Sequence, residues 1–201
     1  MSSITPIDPD VNRIIDYWFD VTDEPHKKWF MGGPKVDKEI KTQFSGLISK
    51  ARASELTSWT SQPKSTLALI ILLDQFPRNI FRGSPLSYSS DSMAVEVAAT
   101  AIAKGFDRQV EEIQQSFFYV PLMHDENLLS QVAGVALYES FAARCPEGSL
   151  SKKFAEQSID PAKAHLNCIL KFGRFPGRNE VLGRKNTREE IEFLKEHPHG
   201  F

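Results

Sequence analysis

The sequence predicts an all-α protein of about seven or eight helices stacked as antiparallel pairs. Apolar residues recur at intervals of three and four in every long segment, which is the spacing of one helix face. Alternation with a period of two, which is typical of a half-buried strand, is not sustained anywhere along the sequence. The 201 residues contain no linker or low-complexity segment, so we expect one domain spanning residues 1–201.

Start signals locate the first three helices. Asp8 precedes Pro9 as an N-cap residue precedes proline at the first helical position, and apolar residues follow at i, i+3, i+4 and i+7. A second amphipathic helix follows the break at residues 32–34. Pro63 begins a third segment, in which residues 67–73 are apolar on all sides. This run predicts a buried helix, and a strand is the competing interpretation for so short a segment.

The second half of the chain follows the same logic. Residues 77–90 are rich in proline and glycine and predict a loop. Further helices are predicted from Asp91 to Gly105, from 110 to near Pro121, over 125–144, and over 154–172 with a bend or split at Pro161 and an end at Gly173. Thr187 and Glu190 have the spacing of a capping box and predict a short terminal helix. We also expect Phe201 to dock against the body, with its carboxylate on an arginine.

Composition excludes several classes of protein. Hydrophobic residues make up 41% and charged residues 25%, enough apolar material for a core, and the formal net charge of −2 does not suggest nucleic-acid binding. The longest apolar run, residues 67–73, is far too short to cross a membrane, and the N-terminus lacks the pattern of a signal peptide. Two cysteines, Cys145 and Cys168, do not form a disulfide framework. We therefore expect a soluble cytoplasmic protein with no nucleic-acid or membrane partner, and the oligomeric state stays open.

Two short segments repeat a pattern of arginine and asparagine. Phe76-Pro77-Arg78-Asn79 recurs loosely as Phe175-Pro176-Gly177-Arg178-Asn179, and each copy follows a predicted helix. The two loops carry five arginines: Arg78, Arg82, Arg174, Arg178 and Arg184. Guanidinium groups match carboxylate and phosphate oxygens, so two facing loops would form a pocket for a small anionic ligand, with the asparagines orienting it. The alternative is structural, because such arginines also bond helix-end carbonyls or pair with acids such as Asp74 and Glu180.

A second group of polar residues surrounds a predicted helix junction. Tyr119, His124, Glu126 and the distant His165 could contact a ligand, transfer protons or bind a metal. The i, i+4 histidine pair of helical zinc sites is missing, so we expect no metal and no cofactor. Asp74, His124, Glu126 and His165 are the candidates for proton transfer, and plain hydrogen-bonded histidines are the alternative.

The same segments resemble a known protein family. The matching stretches are 72–79, 81–83, 118–121, 124–126, His165, 172–179, 182–184, Thr187 and Glu190. They are similar to the family named domain of unknown function 924, which is found mostly in bacteria and also in fungi. The resemblance implies an all-helical, tetratricopeptide-like fold and no established reaction. Gly177 departs from the pattern, because the family typically has histidine there, and any role of that imidazole is absent.

Two functions follow as hypotheses. The first is an enzyme or binding protein for a small anionic molecule, held by Arg78, Asn79, Arg82, Tyr119, Arg174, Arg178 and Asn179. The second is a protein- or peptide-interaction module in which the arginines are structural, since helical-repeat folds often serve that purpose.

Overall fold

The computed structural model describes residues 7–20, 28–29 and 32–197. These residues contain α-, 3₁₀- and π-helix and no strand, so the predicted all-α class is confirmed. The α-helices are α1 (Pro9–Phe19), α2 (Pro34–Arg52), α3 (Pro63–Ile70), α4 (Phe76–Ile80), α5 (Asp91–Ala103), α6 (Glu112–His124), α7 (Leu128–Arg144), α8 (Leu150–Phe172) and α9 (Arg188–Glu196). Because a π-helical turn (Ile71–Gln75) joins α3 to α4, the described residues contain eight continuous segments of α-helix besides short 3₁₀ turns, in agreement with the seven or eight predicted.

The chain divides into two compact units. Unit 1 comprises Met1–Arg82 and Leu86–Val110, and unit 2 comprises Gly83–Pro85 and Glu111–Phe201. The single domain expected from the sequence stays a prediction. Within the described part of the chain, no helix is both long and apolar enough to cross a membrane.

The core of unit 1 is built around α3 and the π-helical turn. Residues 65–75 are all buried, as the apolar run predicted. On α1 the predicted apolar stripe is buried, and the Asp8 carboxylate caps the helix by accepting from the backbone N–H of Asp10 at 2.9 Å. The ring of Phe76 lies 5.1 Å from that of Phe44 and 5.5 Å from that of Trp18, so aromatic contacts add to the apolar packing of this unit.

The predicted loop over residues 77–90 is wrong at its beginning, because the helix continues to Ile80. Pro77 has no N–H for the carbonyl four residues earlier, that of Leu73. The buried hydroxyl of Ser90 donates to that carbonyl instead, at 2.6 Å. The preceding π-helical turn is closed by the N–H of Phe76, which donates to the carbonyl five residues back. A tertiary hydrogen bond therefore permits proline within a continuous helix.

In unit 2, α7 packs along α8 and α6 packs against both. The predicted helix end near Pro121 is wrong, because α6 continues to His124. The amide of Gln131 explains the extension: its Nε2 atom donates to the carbonyls of Leu122, Met123 and Asp125, at 3.0, 2.8 and 2.6 Å. The carbonyl of Leu122 also accepts from the backbone N–H of Asp125 at 3.3 Å, so Gln131 adds to the capping at the end of α6.

The last two helices follow their predicted end signals. The α8 helix is continuous through Pro161, so the predicted split is wrong, and it ends at Gly173 with the expected left-handed φ of 68°. Both hydrogen bonds of the predicted capping box are present between Thr187 and Glu190. The prediction that Phe201 docks lies outside the described residues.

Candidate functional site

Arg78, the first arginine of the first predicted loop, lies among carboxylates within unit 1. We define the unit 1 cluster as Asp37, Asp74, Arg78, Asn79, Arg82 and Asp91. Arg78 donates to both carboxylate oxygens of Asp91, at 2.9 and 2.8 Å. It also donates to the backbone carbonyl of Asp74 at 2.8 Å and lies 3.1 Å from its carboxylate. Burial by itself lowers the pKa of Arg78, but the two carboxylates outweigh it and raise that pKa above its ordinary value.

The other two polar residues of this loop converge on Asp37. Arg82 donates to the two carboxylate oxygens of Asp37 at 2.8 and 3.2 Å, and Asn79 donates to one of them at 3.0 Å. Gly32 lies close to this contact, and a Cβ atom there would stand 2.6 Å from the Arg82 guanidinium, which would have to shift. Asp74 is 1% exposed and accepts a further hydrogen bond from Gln75 at 2.5 Å. The cluster holds three carboxylates against two guanidinium groups.

The second loop belongs to a cluster of polar residues in unit 2. We define the unit 2 cluster as His124, Glu126, His165, Arg174, Phe175, Arg178, Asn179, Arg184 and Glu190. Arg184 donates to both carboxylate oxygens of Glu126, at 2.5 and 2.9 Å, and the backbone N–H of Phe175 donates to the same carboxylate at 2.8 Å. Burial by itself raises the pKa of Glu126, but these donors and the nearby arginine charges outweigh it and lower that pKa.

Arg174 and Glu190 form the second ion pair of unit 2. The guanidinium of Arg174 donates to both oxygens of Glu190, at 2.6 and 2.8 Å, and to the backbone carbonyl of Lys185 at 2.9 Å. The Glu190 carboxylate also accepts from the backbone N–H of Thr187 at 2.6 Å. These donors, with the Arg174 hydrogen bond as the largest cause, lower the pKa of Glu190 to about 2.

Arg178 makes contacts of a different kind. Its guanidinium donates to the backbone carbonyl of His124 at 2.8 Å and lies over the face of Phe175, 4.5 Å from the ring centroid. The ring of His165 approaches the same phenylalanine at a centroid distance of 5.2 Å and an angle of 74°. The buried amide of Asn179 donates to Asn186 at 2.6 Å, while its Oδ1 atom has no hydrogen-bond partner among the described residues.

The structure brings most predicted site residues into these two clusters, one in each unit. Tyr119 is 0% exposed and packs edge-on against Tyr138 and Phe141 in the core of unit 2. Cys145 and Cys168 are both buried as reduced thiols. No group of three or more His, Cys, Asp or Glu side chains in the described ranges has a geometry suited to a metal ion.

Sequence reasoning missed three acidic partners of the arginines. Asp37, Asp91 and Glu190 each lie in the first turn of a helix, that of α2, α5 and α9 respectively. A carboxylate in the first turn is favoured by the helix dipole. The same position leaves the carboxylate available to an arginine from elsewhere in the chain. An acid in the first turn of a predicted helix is therefore a signal that could have identified these partners.

Comparisons with known proteins agree with the fold and name no activity. No curated protein matches the chain. A solved structure, that of the protein of unknown function ATU0120 from Agrobacterium tumefaciens, is 34% identical, covers 92% of this chain and 97% of its own, and superposes with a TM-score of 0.77. The family model described as a bacterial protein of unknown function matches residues 14–198. The chain therefore belongs to the DUF924 family.

Proposed function

We propose that the chain binds a small molecule carrying a carboxylate or phosphate group at the unit 2 cluster, with Arg178 as the main anion contact. One difference among the arginines carries the proposal. Arg174 and Arg184 each hold a carboxylate through two hydrogen bonds. Arg178 instead donates to a backbone carbonyl and lies on an aromatic face. A guanidinium that lies on an aromatic ring in this way can also recognise the oxygens of an anion.

The balance of charge favours unit 2 over unit 1. The unit 2 cluster contains three guanidinium groups and two carboxylates, whereas the unit 1 cluster contains two guanidinium groups and three carboxylates. An anion that binds at the unit 2 cluster balances its excess positive charge, while an anion at the unit 1 cluster adds to an existing excess of negative charge. Arg78, Asn79 and Arg82 of the unit 1 cluster are therefore assigned to the scaffold in this proposal.

In this proposal His165 is the first candidate for proton transfer, and His124, whose backbone carbonyl holds Arg178, is the second. The carbonyl of His124 holds Arg178, and the ring of His165 contacts the same Phe175 on which Arg178 lies. Histidine changes its charge near neutral pH, so an imidazole beside a bound anion can hold or release a proton. Glu126 serves as a positioning residue, because both of its oxygens are engaged by Arg184.

The test compares two arginine variants of unit 2. Arg178→Met keeps much of the apolar stem and removes the charge, and Arg188→Met is the matched control on α9, outside the cluster. Each variant is titrated with phosphate, sulfate and succinate by calorimetry and by thermal melting. We expect Arg178→Met to weaken anion binding about tenfold or more, because charge-assisted hydrogen bonds contribute about 1.5–3 kcal/mol. A parent protein that responds to none of these anions, together with an Arg178→Met variant that only loses stability, would contradict the proposal.

A second candidate function is the protein- or peptide-interaction module, with the helices stacked in a tetratricopeptide-like array. One observation favours it: Leu128, Leu129 and Val132 at the start of α7 are all exposed, Leu129 to 76%. Exposed apolar patches often mark association surfaces. Sedimentation of the purified chain over a range of concentrations tests it with a second copy as the partner. Self-association that Leu129→Glu abolishes would support this candidate, and a concentration-independent monomer would not.

A further inference from the structure

Unit 1 contains a cavity that shares no residue with either arginine cluster. It holds about 300 Å³ and lies between the end of α2, the 3₁₀ turn Thr57–Ser61, α3 and α5. This volume is at the lower end of the range for small-molecule sites. Its walls combine apolar side chains with hydroxyl groups, and both Glu96 and Lys104 border it. The size and the lining of the cavity therefore suit a small amphipathic molecule.

The α5 wall of the cavity is divided into two rows. Glu96, Thr100 and Lys104 follow one another at intervals of four residues, so they form a polar row along the helix. Met93, Val97 and Ala101 form a parallel apolar row at the same interval. The Cα atoms of Glu96 and Lys104 are about 12 Å apart along the helix axis. Both charged side chains are exposed at the rim of the cavity, and the Lys104 ammonium also lies over the ring of Phe106, 5.5 Å from its centroid. A ligand along this wall therefore has a carboxylate toward one end, an ammonium toward the other and apolar surface alongside.

The opposite wall is fixed by hydrogen bonds. Thr66 is buried, and its hydroxyl donates to the carbonyls of Trp59 and Gln62, at 2.9 and 2.8 Å. Thr60 donates to the carbonyl of Thr57 at 2.8 Å. Leu69 and Leu73, both buried, complete the apolar part of this wall. The hydrogen bonds hold the two threonine side chains of this wall in place.

Ser54 provides an independent observation at the same cavity. Its φ of 60° makes it the one non-glycine residue in the left-handed region within the described part of the chain. It ends α2 in a Schellman motif: the backbone N–H of Ser54 donates to the carbonyl of Ala51, and the backbone N–H of Glu55 donates to that of Lys50. Gly83, Gly105, Gly148, Gly173 and Gly183 occupy other positions with φ between 66° and 75°. Ser54 also lines the cavity, so its hydroxyl can contact a ligand bound there.

We propose that this cavity binds a small zwitterion with an aliphatic side chain, namely an α-amino acid or a dipeptide. Lys104 attracts the carboxylate, Glu96 attracts the ammonium, and Ser54 and Thr100 supply hydroxyl groups between them. The aliphatic side chain packs on the apolar row of α5 and on the two leucines of the opposite wall.

The experiment titrates the isotope-labelled chain with L-leucine and with glycyl-L-leucine, and follows the backbone amides of the cavity by nuclear magnetic resonance. We expect saturable chemical-shift changes confined to the backbone amides of the cavity. The probe that binds more tightly shows whether the site prefers an amino acid or a dipeptide. 4-Methylpentanoate and isoamylamine, which each lack one of the two charges, should bind about three- to tenfold more weakly than L-leucine. The absence of cavity shifts at millimolar concentration with both zwitterions would overturn the proposal, and so would equal binding of the singly charged analogues.

Protein variants assign the two charges and the strained serine. Glu96→Gln and Lys104→Gln should each weaken zwitterion binding about three- to tenfold, while Lys50→Gln and Glu55→Gln, in the same unit but outside the cavity, should not. Ser54→Gly should keep or raise the melting temperature and still weaken binding, since glycine relieves the strain and removes the hydroxyl. Equal effects of cavity and control variants would overturn the proposal, as would a Ser54→Gly variant that binds unchanged. Arg178→Met should leave leucine binding intact, which separates this site from the anion site of unit 2.

Discussion

The guanidinium of Arg78 donates to both carboxylate oxygens of Asp91, at 2.9 and 2.8 Å. Arg78 also neutralises Asp74, which is 1% exposed. We expect Arg78→Met to lower the free energy of unfolding by about 3–5 kcal/mol, because the change leaves buried charge without its partner. Urea denaturation measures this loss directly.

The control for this prediction is the other arginine of the unit 1 cluster. Arg82 is 54% exposed and pairs with Asp37 in contact with solvent. Arg82→Met should therefore cost less than about 1 kcal/mol. Similar losses for the two variants would show that burial of the ion pair does not determine its contribution.

A single hydroxyl group supports the helix that passes through Pro77. Ser90 is fully buried and donates to the carbonyl of Leu73 at 2.6 Å. Ser90→Ala should lower the free energy of unfolding by about 1–3 kcal/mol, since that carbonyl is left in the core without this donor. The neighbouring exposed Ser89 also donates to a carbonyl, at 3.2 Å, and Ser89→Ala should change stability by less than about 0.5 kcal/mol. Equal stability of the two variants would contradict the prediction.

Glu190 should make the stability of unit 2 dependent on pH. Its pKa falls from an ordinary value of 4.5 to about 2 on folding, so the unfolded chain binds more protons between these values. The stabilisation is complete above about pH 4.5 and is lost as the pH decreases toward 2. Urea denaturation at a series of pH values across this window measures the effect. The free energy of unfolding should depend less steeply on pH in Glu190→Gln than in the parent. Glu189→Gln removes a carboxylate from the same helical turn. An equal reduction of the pH dependence in that variant would refute the assignment to Glu190.

Cys168 should react slowly in the folded protein. It is 3% exposed, and burial is the main cause that raises the pKa of its thiol to about 11. Because the thiolate is the reactive form, alkylation by iodoacetamide at pH 8 should be roughly a hundredfold slower than in the unfolded chain. The experiment uses a Cys145→Ser background, so that mass spectrometry follows one thiol. Rapid modification of the folded protein would show that the thiol is accessible.

Local signals predicted the parts of the fold that depend on local hydrogen bonds. The Asp8 cap, the left-handed Gly173 and the capping box at Thr187 all occur where the sequence indicated them. The helix ends predicted at Pro77 and Pro121 were wrong for a shared reason. At each, a side chain distant in sequence, Ser90 or Gln131, satisfies nearby backbone carbonyls. Such tertiary partners leave no local pattern.

The sequence predicted the arginine-rich loops of the candidate site, but not which carboxylate pairs with which arginine. The sequence indicated two loops rich in arginine, and the structure gives each loop a cluster of polar partners. The carboxylates come from far along the chain: Asp37 lies 45 residues before Arg82, and Glu126 lies 58 residues before Arg184. No periodicity relates residues at such separations, so which acid meets which arginine follows from the packing of the helices.

The several contacts of Glu190 have a consequence for motion at the end of the chain. The same carboxylate accepts from the backbone of Thr187 and from the arginine that follows α8, so the start of α9 and the end of α8 share one attachment. Opening of α9 must therefore release both contacts in a single event. Amide protons in the first turn of α9 should exchange with deuterium together with those next to Arg174, at one common rate, and not by gradual fraying from the helix end.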